Sequence, residues 1–142
     1  MKVSETELMA VRVVKADLER VFTAFTDPQI LTRWWGPNGF TSTFHEHDAR
    51  EGGKWRFTFH GPEGREFKNE LVYLEVTPSS CIRLHHVTGP VYTATFRFTQ
   101  VEGGTHVNWY MHFENKKFLA ENGDFIVKAN EENLDRLEAV LR

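Results

Sequence analysis

The sequence predicts an α+β fold: an antiparallel sheet whose greasy face is covered by helices. Three observations predict it. Residues 40–113 run in short stretches that alternate apolar and polar side chains, separated by turns containing Gly or Pro, as consecutive antiparallel strands do. Near the N-terminus, and again in the last quarter of the chain, apolar residues recur at steps of three and four, the spacing of amphipathic helices. Strands greasy on one side only need a cover on that side and water on the other.

The elements follow in order. Met1 to Glu5 is expected to fray, and the Val-rich stretch Leu8 to Val14 to form a first strand. Asp17 offers a cap for a helix carrying Leu18, Val21, Phe22 and Phe25 on one side, and Pro28 opens a second short helix through Trp34. Gly36-Pro37-Asn38-Gly39 is a turn by composition. Phe40 to Asp48 is the next strand, with Phe40, Ser42, Phe44 and Glu46 on one face and His45 and His47 on the other. Gly52-Gly53 leads to Trp55, Phe57 and Phe59; after Gly61-Pro62-Glu63-Gly64, Phe67 to Val76 is expected to turn Val72, Leu74 and Val76 inward. Ile82, Leu84 and His86, then Tyr92, Ala94, Phe96 and Phe98, then Val107, Trp109, Met111 and Phe113 complete the sheet. A helix from about Asp124 to Arg142, roughly 28 Å long, closes the chain. Asn122-Gly123-Asp124 supplies its start signal, and Ile126, Ala129, Asn130, Asn133, Leu134, Leu137 and Leu141 its apolar stripe. Two asparagines interrupt that stripe.

Composition narrows the function. A chain of 142 residues fits a single domain, 1–142, with one substantial core. Twelve Phe and four Trp supply ring area for a core or for the walls of a cavity. The net charge of −3 comes without a basic run, which argues against a nucleic-acid partner. The single cysteine, Cys81, forms no internal disulfide and suits a reducing cytoplasm. The N-terminus lacks the signature of a signal peptide, and no stretch is apolar enough to span a membrane.

Several motifs carry a family resemblance. Trp34-Trp35-Gly36-Pro37 with Gly39-Phe40, Gly52-Gly53-Lys54-Trp55, Gly104-Thr105 before a strand, and residues 130–137 (Asn-Glu-Glu-Asn-Leu-Asp-Arg-Leu) occur in that order along the chain. The chain resembles the Aha1-like branch of the START/Bet v 1-like (SRPBCC) superfamily over nearly its whole length. The resemblance implies a helix-grip fold, in which a curved antiparallel sheet wraps a long C-terminal helix and a cavity lies between them. Other branches bind lipids, hormones or polyketides, and some are cyclases or hydrolases. The fold alone therefore assigns no activity.

The residues themselves suggest a binding site. His45 and His47 share a face and are read as a solvated pair; His85 and His86 point to opposite faces; Cys81 has no ligand partner at finger spacing. No metal or organic cofactor is expected. Glu46, Glu70 and His86 share parity with inward residues Phe44, Val72 and Leu84, and the helix asparagines Asn130 and Asn133 face them. A few convergent polar groups on apolar walls are how small-molecule sites are built. The alternative is that they satisfy one another and fix register, or that a bulge shifts the parity. Trp34, Phe44, Trp55, Phe57, Phe59, Phe96, Trp109 and Met111 complete the expected wall. One tryptophan of the Trp34-Trp35 pair is read as a core plug, and the other is left open. The expected function is burial of a small hydrophobic molecule, with Glu70, His86 and the asparagines orienting its polar end. The first alternative is a cyclase- or hydrolase-type enzyme using the same polar cluster, and the second a protein-binding module acting on a chaperone. The sequence does not specify an oligomeric state.

Overall fold

The computed structural model describes residues 1–142. The elements are β1 (Glu7–Val14), α1 (Leu18–Thr26), α2 (Pro28–Trp34), β2 (Thr41–His47), β3 (Lys54–His60), β4 (Glu66–Thr77), β5 (Cys81–His86), β6 (Tyr92–Val101), β7 (Gly104–Phe113) and α3 (Lys116–Val140). A single 3₁₀ turn, Pro62–Gly64, joins β3 to β4. The seven strands form one antiparallel sheet in the order β1-β7-β6-β5-β4-β3-β2. Six strands therefore pair with their sequence neighbours, as short turns dictate. Only β1 crosses to the far edge, beside β7.

Both short helices begin where the sequence places them. Asp17 Oδ1 accepts from Arg20 N at 2.9 Å, and Asp27 Oδ1 accepts from Gln29 N at 2.9 Å with Pro28 in the first turn. The long helix starts eight residues before the expected Asp124, at Lys116. Asn115 is its cap, its side chain accepting from Phe118 N at 3.1 Å. Gly123 sits inside the helix, buried against the aliphatic stem of Lys2. Leu119 extends the apolar stripe toward the N-terminus. The start signal at residues 122–124 fails because a buried glycine in a helix looks, by sequence, like a break.

Arg12 of β1 holds α3 to the edge of the sheet, reaching Glu131 at 2.8 Å, Asp135 at 2.8 Å and Glu138 at 2.5 Å. At the other side Arg20 Nη2 donates to the Leu141 carbonyl at 2.9 Å, satisfying a group at the helix end.

Two β-bulges reset which side chains face inward. In β2 the register with β3 shifts between Phe44 and Glu46. Beyond it Glu46 lies outside, ion-paired to Arg56 at 2.9 Å, while His47 turns in against Phe44, Trp55 and Tyr73. The expected shared face of His45 and His47 is thereby corrected. In β4 the inward residues are Leu71 and Tyr73, each 1% exposed, whereas Leu74 is 44% exposed. A second bulge, between Tyr73 and Glu75, then returns Val76 to the core. The sequence reading of Val72 and Leu74 as inward is wrong because residues 71–74 are apolar on both parities. A period-two pattern is silent there.

Candidate functional site

The inner face of the sheet, α2 and α3 enclose an aromatic interior. Trp34 is fully buried; its Nε1 donates to the Ala24 carbonyl at 2.9 Å and its ring meets Phe25 edge-on at 4.8 Å. It is the core plug. Trp35, the partner left open by the sequence, is also buried, against Trp34, Trp55 and Trp109 at centroid separations of 5.6, 5.2 and 5.8 Å. Trp55, Phe57, Phe96, Trp109 and Met111 are all buried, as the sequence places them, and Phe44 and Phe59 pack half-buried beside them.

The corner after Trp34 is clamped by α3. Asn133 Oδ1 accepts from Gly36 N at 2.7 Å, and Arg136 Nη1 donates to the carbonyls of Gly36 (2.5 Å), Pro37 (3.2 Å) and Phe40 (3.0 Å). Gly36 has φ +129°, and a Cβ there would press on Phe59, Phe40 and Arg136, so the corner needs glycine for conformation and for space. Asn133, expected to face a ligand, is thus occupied by the backbone of this corner. Arg136 carries no such signal in the sequence, where it reads as part of a solvated helix face.

Other polar groups of the interior are less well satisfied. The one side-chain bond of Asn130 runs from Nδ2 to Met111 Sδ at 3.3 Å, a weak acceptor. The indole N–H groups of Trp35 and Trp109 are buried without a hydrogen-bond partner; that of Trp55, also buried, lies near the Tyr73 hydroxyl. The Tyr73 hydroxyl instead pairs with His47 Nε2 at 2.9 Å. Burial lowers the His47 pKa, and burial raises that of Tyr73 well above the ordinary phenol value.

His86 is buried at the β5 end of the interior, stacked on Tyr92 at 4.6 Å. Its Nδ1 lies 2.7 Å from the Pro90 carbonyl, which only accepts, so Nδ1 carries a proton; Nε2 lies 2.7 Å from Asn69 Oδ1 and 3.2 Å from Thr88 Oγ1. Burial lowers its pKa, against the opposing pull of the Pro90 carbonyl. An unfolded histidine, with pKa near 6.5, binds its proton at a higher pH than folded His86 does, so stability is complete above about pH 6.5 and falls as the pH drops below it. Thermal denaturation between about pH 7.5 and 5.5 should therefore show a melting temperature that falls on acidification. The slope should be shallower in His86→Gln, with the remainder owed partly to His47. An identical slope in the variant would show that His86 does not contribute.

Glu46 and Glu70 do not join this interior. Glu46 is turned out by the β2 bulge, and Glu70 lies between the inward residues Asn69 and Leu71, on the opposite face of the sheet from His86, which pairs across from Leu71. The acid–base pairing of Glu70 with His86 is thus removed by geometry. The four principal depressions of the surface, about 550, 370, 470 and 360 Å³, are all open to solvent, and no tryptophan lines any of them. None of the four opens onto the tryptophan cluster.

Comparison with known proteins places this architecture. The chain is similar over 95% of its length to 96% of a structurally characterised protein from Chromobacterium violaceum, at 27% identity and a TM-score of 0.86. A protein from Rhodobacter sphaeroides shares 23% identity and a TM-score of 0.88, with 97% of this chain and 93% of that one covered. An AHSA1-like protein from Aeromonas hydrophila shares 18% identity and a TM-score of 0.79, over 94% and 92% of the two chains. None of the curated proteins matches the sequence. No helix is long and apolar enough to cross a membrane. The family model described as activator of Hsp90 ATPase homolog 1-like protein matches residues 15–142, and with the curved sheet gripping α3 already established, the chain belongs to the Aha1-like family.

Proposed function

We propose that the chain binds a small, largely apolar molecule bearing a hydrogen-bond acceptor, held between the sheet and α3. The observation that supports this reading is the pair of indole N–H donors on Trp35 and Trp109, no more than 5% exposed and without partners. A buried donor left unsatisfied costs on the order of 1–3 kcal/mol, so their acceptor would come from a ligand. Apolar walls supply the burial, and the indoles and Asn130 orient the polar end. Because the rings fill the interior, entry requires the Trp35 corner to lift away from α3.

The test begins with native mass spectrometry of protein purified from its own host, followed by denaturing extraction. A retained apolar molecule with a carbonyl, carboxylate or ether oxygen is the expected result. Trp109→Phe keeps an aromatic ring at the site, smaller than indole, and removes one donor. It should weaken that molecule about tenfold, the equivalent of one modest hydrogen bond, and weaken a hydrocarbon analogue clearly less. An empty protein whose melting temperature no metabolite raises would overturn the reading, since a ligand that binds only the folded state must raise it.

A further inference from the structure

The outer face of the sheet carries a second arrangement of side chains, remote from the tryptophans. Across β2 and β3, Thr43 Oγ1 lies 2.7 Å from His60 Nε2, and His60 Nδ1 lies 3.1 Å from Glu66 Oε2 of β4. The charge of Glu66 biases the roles. The Glu66 carboxylate beside Nδ1 favours the tautomer protonated there, which leaves Nε2 to accept from the Thr43 hydroxyl. A nucleophile held by a base, and the base held by a carboxylate, is the arrangement that activates a hydroxyl whatever the fold around it.

We propose that Thr43, His60 and Glu66 form an esterase-type triad acting on small polar acyl esters. Three features set the substrate class. The triad opens on a depression of about 550 Å³, in which Phe57 is the single hydrophobic residue among eleven lining it, so it suits a polar rather than a greasy substrate. Thr43, Thr58 and Lys68 lie in one row across three strands. Lys68 makes no ion pair, and its ammonium can reach toward an oxygen that gains negative charge beside Thr43. His60 and Glu66, with side chains 38% and 62% exposed, are open to a small molecule arriving from solvent.

The step balances without a cofactor. Thr43 Oγ bonds to the acyl carbon while its proton passes to His60 Nε2. The carbon–oxygen bond to the leaving alcohol breaks, and the alcohol takes that proton. Water then attacks the threonyl ester in the same manner, releasing the acid and restoring the Thr43 hydroxyl.

The same face contains its own control. His45 Nε2 pairs with Thr58 Oγ1 at 2.8 Å, a threonine–histidine pair with no carboxylate on the other ring nitrogen. Hydrolysis of p-nitrophenyl acetate by the purified full chain reads the difference. Thr43→Val and His60→Gln should each lower the rate at least tenfold, as loss of a nucleophile or general base does, while Glu66→Gln lowers it less. Thr43→Ser should retain the rate, and His45→Gln, which lines the same depression without touching the triad, should lower it far less than His60→Gln does. Quenched samples should carry one acetyl group, mapped to Thr43. An unchanged rate in Thr43→Val, an equal loss in His45→Gln, or acetyl mapped to a lysine would overturn the proposal. A merely structural role for the His60–Glu66 pair, closing the β3–β4 hairpin, predicts a lower melting temperature in Glu66→Gln with no change in hydrolysis. That result too would overturn it.

Discussion

Trp34→Ala should destabilise the protein by about 3–5 kcal/mol, the usual cost of emptying a large aromatic site in a core. The ring has no exposed surface, and it is wedged among Phe25, Trp35 and the Ala24 carbonyl. Truncation would leave a cavity between the two short helices and the sheet, and would orphan the Ala24 carbonyl from its side-chain donor. For a domain of this size that amounts to a melting temperature lower by roughly 10 °C or more. Trp34→Phe should recover much of the packing but not the hydrogen bond, so it should fall between the two. Equilibrium urea unfolding checks the order. A Trp34→Ala variant within about 1 kcal/mol of wild type would show that the interior collapses around the gap, and that Trp34 is not the plug its contacts make it.

The second large effect is expected at Arg136. One guanidinium nitrogen serves three backbone carbonyls of the corner after Trp34, and Asn133 holds the Gly36 amide beside it. Arg136→Met preserves the aliphatic stem and deletes these bonds, at a cost of about 2–3 kcal/mol, because hydrogen bonds from a charged donor are stronger than neutral ones and their acceptors are left unpaired. The loss should be local as well as global. Amide exchange at Gly36, Asn38 and Phe40 should quicken more than in the β6–β7 hairpin, and Trp35 emission should shift toward that of a solvated indole. If the proposed ligand enters by this corner, its association rate should rise in the same variant. Uniform exchange throughout the chain would instead mark Arg136 as a general contributor to stability, with no hold on the corner.

How much of this was legible beforehand depends on what each residue's partners are. Strand and short-helix positions could be read from local patterns: Asp17, Asp27 and Pro28 act on the backbone within three residues of themselves, and the alternation at Trp55-Phe57-Phe59 is unambiguous because Arg56 and Thr58 separate the rings. Glu46 and Glu70 were misplaced for a different reason. A bulge inserts one residue into a strand through its pairing with the neighbour, so it leaves no local trace, yet every side chain beyond it changes face. Glu70 shares parity with Val72, in a segment apolar on both parities, so the pattern does not say which face it takes. His47 and Tyr73, whose hydrogen bond lies against Trp55, were missed for the same two reasons.

By itself, the sequence determined the order of strands and helices, the antiparallel pairing of neighbours, the family, and the inward placement of Trp55, Phe57, Phe96, Trp109 and Met111, because hydrophobic period, caps and turns act over a few residues. Tertiary structure alone decided where α3 begins, since Gly123, which reads as a break, lies buried inside the helix. It also decided that Asn133 and Arg136 hold a corner nearly a hundred residues away in sequence, that the acidic candidates face water, and that Thr43, His60 and Glu66 meet. Those outcomes depend on register between strands and on contacts across the chain, which no window of neighbouring residues contains.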